Sequence, residues 1–135
     1  MNDPPEIAYL TYDQVVAFHI GLMRRLGEGY YGVLAPDLLT SALDRPRMAA
    51  QYEDADLIRQ AAHLVWGLLK NHPFHQGNKR TAVALPFTFL ATNGQWIEAE
   101  QDEVVELGYR IEDGGWDVDR VESWLRQHAI PHEVC

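Results

Sequence analysis

The chain has 135 residues, of which 47% are hydrophobic, and this is enough apolar surface for one domain to fold without metal or disulfide support. Twenty acidic and eleven basic side chains give a net charge of -9, which argues against direct binding to nucleic acid or to an anionic membrane surface. No segment approaches the roughly 20 apolar residues of a membrane span, and the single cysteine, Cys135, cannot form an intrachain disulfide, so we expect a soluble cytoplasmic protein.

The first predicted helix begins after Thr11, which forms a capping-box pattern with Gln14, and it ends at Gly27. Its apolar face repeats with helical spacing at Val15, His19, Leu22 and Leu26.

Residues 28–35 combine two glycines with two tyrosines, a composition that predicts a mobile loop, a short β-hairpin or an extended flap. Pro36 suits the first turn of a helix, which we expect to be short and to end at Leu43.

Asp54 is the expected cap of the next helix, whose apolar face comprises Leu57, Ala61, Leu64, Val65 and Leu68. A polar loop follows, and residues 81–91 are then apolar on nearly every side, as in a buried central helix. Residues 95–99 suit a short extended piece. Helical spacing resumes at Val104, and Asp117 opens a last helix that runs through His128. The pattern predicts a compact all-α bundle over residues 1–135.

The loop at residues 72–81, His-Pro-Phe-His-Gln-Gly-Asn-Lys-Arg-Thr, carries the chemistry. It opens a helix, where free backbone N–H groups attract anions, and Gly77 and Asn78 lie at that terminus. Lys79 and Arg80 can offset the charge of a transferred phosphoryl group, and His72 has a suitable ordinary pKa for a general base. The alternative is that His72 only caps a helix while the two cations form a solvated pair.

The segment HPFHQGNKRTA resembles the signature HxFx[D/E/N][A/G]N[G/K]R of the Fic/Doc family, in the Asn-Lys-Arg version of its Doc, or death-on-curing, branch. The resemblance extends over roughly residues 10–128, through the stretch GVLAPDLLTSALDRP at residues 32–46 and FLATNG at residues 89–94.

The resemblance implies an all-α core and an enzyme that uses ATP and Mg²⁺. Doc-like members phosphorylate a threonine of translation elongation factor Tu, arrest translation and are held inactive by an antitoxin protein. It also implies roles for the loop residues. His72 is the base, Gly77 and Asn78 hold phosphates, and Lys79 and Arg80 stabilise the transferred group.

Two departures from the family pattern, and one residue that distinguishes its two branches, bear on the expected activity. Gln76 replaces the family's acidic magnesium ligand, so we expect weakened metal binding. Leu34 and Ala35 replace an arginine and an aspartate beside the flap, which removes polar groups for target or nucleotide. Val83 replaces the second arginine of adenylylating members, which favours phosphate transfer. Two alternatives follow: AMP transfer in the manner of the Fic branch, or a catalytically weakened binding module.

Two further patterns have simpler explanations. His63 and His75, together with His72, lack the partners of a zinc set, so we expect structural or surface roles for the first two. The four tryptophans lie in separate segments of an acidic chain, which indicates core packing rather than base stacking. They are Trp66, Trp96, Trp116 and Trp124.

Overall fold

Helix α3 (Leu57–Asn71) runs through the centre of the fold, and nine of its residues are buried. It packs against α2 (Pro36–Glu53), α4 (Asn78–Thr92) and α6 (Val118–His128). Our computed structural model describes residues 6–132, and α1 (Tyr12–Arg25) and α5 (Gln101–Glu112) complete the six helices of that part. Cys135 lies outside the described residues.

The described residues also form one small antiparallel sheet. Strand β1 (Gln95–Ile97) pairs with β2 (Ala129–Pro131), and Trp96 lies opposite Ile130. Side chains from all six helices and from β1 share one apolar core. The prediction of an all-α fold with a short extended element is confirmed. Within residues 6–132, no helix is both long enough and apolar enough to cross a bilayer. That the whole chain forms a single domain stays a prediction.

The first helix is capped as predicted, because the Thr11 hydroxyl accepts from the backbone N–H of Gln14 and the Gln14 side chain accepts from the backbone N–H of Thr11. The end of its apolar face differs from the prediction. Met23 is fully buried, whereas Leu26 is 46% exposed, because the helix ends at Arg25 and Leu26 follows as its C-cap.

Helix α2 is much longer than predicted, since it continues past Leu43 to Glu53. Pro46 lies inside it, and burial of the proline ring offsets part of the cost of its missing N–H. Asp54 does not cap α3 but ends α2 in a left-handed conformation with a φ of 54°. Asp56 is the actual cap, and its carboxylate accepts from the N–H of Arg59.

Candidate active site

The side chain of Asn78 closes the loop that joins α3 to α4. Its carbonyl oxygen accepts from the backbone N–H of Phe74, and its amide nitrogen donates to the Phe74 carbonyl, both at 2.9 Å. Phe74 is 1% exposed and anchors the loop in the core. Because both polar ends of the Asn78 side chain are used inside the loop, this residue has a direct structural role at the helix terminus.

His19 of α1 lies fully buried behind the loop, with its ring stacked on that of Phe74 at a centroid distance of 3.9 Å. The backbone N–H of Gly32 donates to Nε2 of His19 at 3.2 Å, so the proton lies on Nδ1, which is 2.9 Å from the Thr81 hydroxyl oxygen. Burial lowers the pKa of His19 from its ordinary 6.5. This neutral histidine therefore joins α1, α4 and the segment around Gly32.

Residues 32–35, the last part of the segment in which a flap was predicted and from here on called the flap, lie beside the loop. Val33 and Phe74 form an isolated antiparallel bridge, and the N–H groups of Leu34 and Ala35 both donate to the carbonyl of Pro73, at 2.8 and 3.0 Å. The flap is therefore paired with the loop itself, and the two residues that depart from the family pattern are held beside it. The Leu34 side chain is 59% exposed.

Gly77 forms the N-cap of α4 with a left-handed φ of 74°, and a Cβ there would collide with the Met23 side chain. No side chain among residues 6–132 hydrogen-bonds to this helix terminus as a cap. The first-turn N–H groups therefore have no side-chain acceptor within that range at this terminus, and such groups attract anions. A cavity of about 380 Å³ opens at this point and is lined by Met23, Glu28 and residues 76–80.

Both cations of the loop have carboxylate partners from other elements. Nζ of Lys79 lies 2.9 Å from Oε2 of Glu112, and an Arg80 Nη atom lies 3.3 Å from Oε1 of Glu28. Nζ of Lys79 also lies 3.7 Å from the centroid of the Tyr109 ring. The hydrogen bond with Glu112 raises the pKa of Lys79 above its ordinary value, so the ammonium charge is retained.

His72 ends α3 in a left-handed conformation, with a φ of 47°, and its side chain is half exposed. Nε2 of His72 lies 2.9 Å from Oε1 of Glu112, so this one carboxylate bridges His72 and Lys79. The structure therefore brings together the predicted base and a predicted phosphate-binding cation through an acidic residue that the sequence did not single out.

Comparison with known proteins identifies the family of this chain. The profile of the Fic/DOC family matches residues 9–90, which is more than half of the chain and includes the flap, the loop and His19. The chain belongs to the Fic/DOC family. It is similar to a protein named Toxin Doc from Mycolicibacterium smegmatis, with 35% identity over 94 residues that cover 68% of this chain and 61% of that relative. It is also similar to a protein named Protein kinase doc from Escherichia phage P1, with 26% identity over 88% of this chain and 94% of the relative.

The chain spans less than two thirds of the length of the first relative, at 61%. Glu112 lies beyond the segment that the Fic/DOC profile matches, whereas His72, Lys79 and the other loop residues lie within it. The bridge from Glu112 thus connects the family's motif loop to a part of the chain for which the profile gives no match.

Magnesium is the metal that the Fic/DOC resemblance implies, and the residues at hand do not form a site for it. Gln76 is exposed on the loop and offers one neutral amide oxygen, a poorer ligand for a hard dication than a carboxylate. Within residues 6–132, no three His, Cys, Asp or Glu side chains cluster as a metal site. The positive charge that faces the cavity comes from Lys79 and Arg80, and Glu28 adds one negative charge.

Neither of the other two histidines of the predicted alternatives contacts Glu112 or the loop cations: His63 lies in α3 away from the loop, and His75 is a loop residue whose side chain points to another partner. His63 contacts Glu53 and Arg45, and His75 lies against the ring of Tyr30 at 4.8 Å. Three of the four tryptophans pack against the core as expected. Trp96 does not, because it lies on the outer face of the short sheet and is 47% exposed.

Sequence reasoning missed three residues of the site: Glu112, Glu28 and the structural role of His19. The sequence contained one indication that α5 approaches the loop near Glu112. Gly108 lies in the middle of α5, where glycine destabilises a helix, and it lies one turn from Glu112 on the same face. A Cβ at Gly108 would lie 2.9 Å from Cγ of Lys79. The glycine thus marks the close approach of the Lys79 side chain.

Proposed function

We propose that this chain is a Doc-type toxin that transfers the γ-phosphate of ATP to a hydroxyl group of a protein, with a translation factor as the target. The observation that carries the proposal is the bridge in which Glu112 joins His72 to Lys79, with 2.9 Å on each side. A candidate base and a phosphate-binding cation are thereby held together at the opening of α4. The names of the two relatives, a toxin and a protein kinase, support the same proposal.

The proposed phosphate transfer uses the N-terminus of α4, two cations and one base. The phosphates of ATP bind at the N-terminus of α4, where first-turn N–H groups and the side chains of Lys79 and Arg80 offset their charge. The target hydroxyl gives its proton to His72 as its oxygen attacks the γ-phosphorus. The bond from the γ-phosphorus to the bridging oxygen breaks, and ADP leaves with that electron pair. The cations must shift from Glu112 and Glu28 toward the phosphates as ATP binds.

Two protein partners follow from this proposal. The first is the substrate, which must present a hydroxyl to the loop beside the flap, where the exposed Leu34 offers an apolar contact. The second is an antitoxin, because a phosphotransferase that arrests translation must be restrained in the cell that makes it.

AMP transfer is the closest alternative, since the same cavity can hold ATP in the opposite orientation. Adenylylating members use a second arginine three positions after the first, and in this chain that position is Val83. The Val83 side chain is 8% exposed and faces the core, so it adds no charge to the cavity. This observation favours the γ-phosphate.

Radiolabelled ATP decides between the two reactions. The protein is incubated with purified elongation factor Tu and with ATP labelled at either the α or the γ position. We expect label in the target from γ-labelled ATP alone, and its loss in His72→Ala. His63→Ala is the matched control, because His63 lies in the same helix but contacts Glu53 and Arg45. Label from the α position alone would refute phosphate transfer.

Expression in a bacterium tests the remaining alternative, a binding module without chemistry. Growth arrest should disappear with His72→Ala and persist with His63→Ala. Equal arrest by the wild type and by His72→Ala would mean that toxicity does not arise from catalysis at the loop.

A further inference from the structure

Glu112 is the last residue of α5, and each oxygen of its carboxylate has a different partner. Oε1 lies 2.9 Å from Nε2 of His72 at the end of α3, and Oε2 lies 2.9 Å from Nζ of Lys79 in the first turn of α4. Three consecutive helices, α3, α4 and α5, therefore meet at one carboxylate.

The carboxylate is ionised at neutral pH. The hydrogen bond from Lys79 holds the pKa of Glu112 below its ordinary value, and the attraction of Lys79 and His72 adds to this effect. An ionised carboxylate has no proton to donate, so it can only accept hydrogen bonds.

The backbone around Glu112 is shaped for this contact. Gly108 leaves room for the aliphatic stem of Lys79, because a Cβ there would lie 2.9 Å from its Cγ atom and 3.2 Å from its Cδ atom. The Tyr109 ring lies beneath the ammonium group at 3.7 Å. The two bridged side chains remain partly exposed, at 50% for His72 and 32% for Lys79, so both are accessible from solvent, and Lys79 also lines the cavity at the start of α4.

We propose that Glu112 is the positioning residue of the base: it fixes the imidazole of His72 with the proton on Nε2 and leaves Nδ1 to take the proton of the attacking hydroxyl. Since Nε2 faces an acceptor that has no proton, Nε2 must donate, and the lone pair lies on Nδ1. The carboxylate also offsets the charge of the imidazolium that forms. The catalytic part of this inference rests on the proposed phosphate transfer, whereas the tautomer does not.

In the proposed reaction, His72 accepts a proton while the phosphoryl group is transferred. The O–H bond of the target breaks and its proton moves to Nδ1 of His72, while the oxygen forms a bond to the γ-phosphorus. The bond to the bridging oxygen breaks, and its electron pair leaves with ADP. Glu112 neither gains nor loses a proton.

The tautomer is measured directly by ¹⁵N NMR of the histidine side chains, above the pH at which imidazole is protonated. We expect the wild type to show His72 with its proton on Nε2. Glu112→Gln keeps an oxygen acceptor and should retain this tautomer, whereas Glu112→Ala should give a mixture of both. The matched control is Glu106→Ala on the same helix, since Glu106 pairs with Arg110 alone among residues 6–132. An unchanged tautomer in Glu112→Ala would overturn the proposal.

Kinetics supply the second measurement. We expect Glu112→Ala to lower kcat by about tenfold, a part of what general-base catalysis contributes, without raising the KM for ATP. Glu112→Gln should recover most of kcat. A raised KM with unchanged kcat would mean that the carboxylate only arranges Lys79 for ATP, and would refute a role toward the base. If the wild type transfers no label, the proposed function fails, and the NMR comparison still decides whether Glu112 fixes the tautomer.

Discussion

The replacement of His19 by phenylalanine should destabilise the protein and loosen the flap. The imidazole is fully buried and satisfies two groups, the N–H of Gly32 and the hydroxyl of Thr81. Phenylalanine keeps the stacking on Phe74 but leaves both groups without this partner.

The expected loss in the free energy of unfolding depends on how deeply each of the two groups is buried. A buried polar group left unsatisfied costs roughly 1–3 kcal/mol. Thr81 is fully buried, so leaving its hydroxyl without a partner should cost the upper part of this range. Gly32 is half-buried, so water can partly replace the lost partner of its N–H group. We therefore expect a loss of about 2–4 kcal/mol in the free energy of unfolding, a large part of the stability of a domain of this size.

Urea denaturation followed by circular dichroism measures this loss, and two matched variants separate its parts. His19→Asn retains an N–H near the position of Nδ1 and should keep the contact with Thr81. His19→Gln retains an acceptor near the position of Nε2 and should keep the contact with Gly32. Each should lose less stability than His19→Phe, because each leaves only one group unpaired.

A double-mutant cycle with Thr81→Val tests whether the side chains of His19 and Thr81 interact. If His19 donates to the Thr81 hydroxyl, His19→Phe and Thr81→Val should be coupled by about 1 kcal/mol or more, since the second change removes a group that the first leaves unsatisfied. Free energies of unfolding that add to within about 0.4 kcal/mol would show that the two side chains do not interact.

Three further predictions concern pH, the loop and the metal. Burial lowers the pKa of His19 below 6.5, so His19 is protonated more readily in the unfolded chain than in the folded protein. The contribution of neutral His19 to stability is therefore present above pH 6.5 and is lost as the pH falls through the lowered pKa. The urea midpoint should fall on acidification from about pH 7.5 to 5.5, and His19→Gln should weaken that fall; equal slopes would contradict this. Gly77→Ala should lower the free energy of unfolding, measured by urea denaturation, by about 1–3 kcal/mol, because alanine would be held in a left-handed conformation with its Cβ against Met23. An unchanged urea midpoint would mean that the loop adapts without cost. Gln76→Asp should make ATP affinity in calorimetry more dependent on Mg²⁺ than it is in the wild type, because a carboxylate replaces a neutral amide, and an equal dependence would exclude position 76 as a ligand.

The sequence was most informative where one local interaction determines the structure. Thr11 and Gln14 are three residues apart and form their capping box without help from the rest of the chain. Helix α3 was predicted correctly because its apolar spacing is strong and its buried face follows that spacing. The prediction failed where tertiary packing outweighs a local signal. Burial of Pro46 lets α2 continue, and it therefore moves the cap of α3 from Asp54 to Asp56.

The candidate site likewise has a part that the sequence predicts and a part that depends on tertiary packing. The residues of the loop are adjacent in sequence, so their meeting at one helix terminus could be predicted from residue types alone. Glu112 lies 40 positions after His72, and its side chain reaches the loop only because α5 packs on α4. Strand β2 was missed for a related reason, since its three residues are extended through pairing with β1, which is distant in sequence.

The pair of hydrogen bonds from Asn78 to the backbone of Phe74 has a consequence for how the protein meets its nucleotide. The amide side chain imitates a peptide group and pairs with the loop as a neighbouring strand would. The order of the loop is thus achieved during folding, before any ligand arrives. A nucleotide should therefore bind to a preformed loop. Its binding should carry little entropic penalty from ordering the backbone and can be fast.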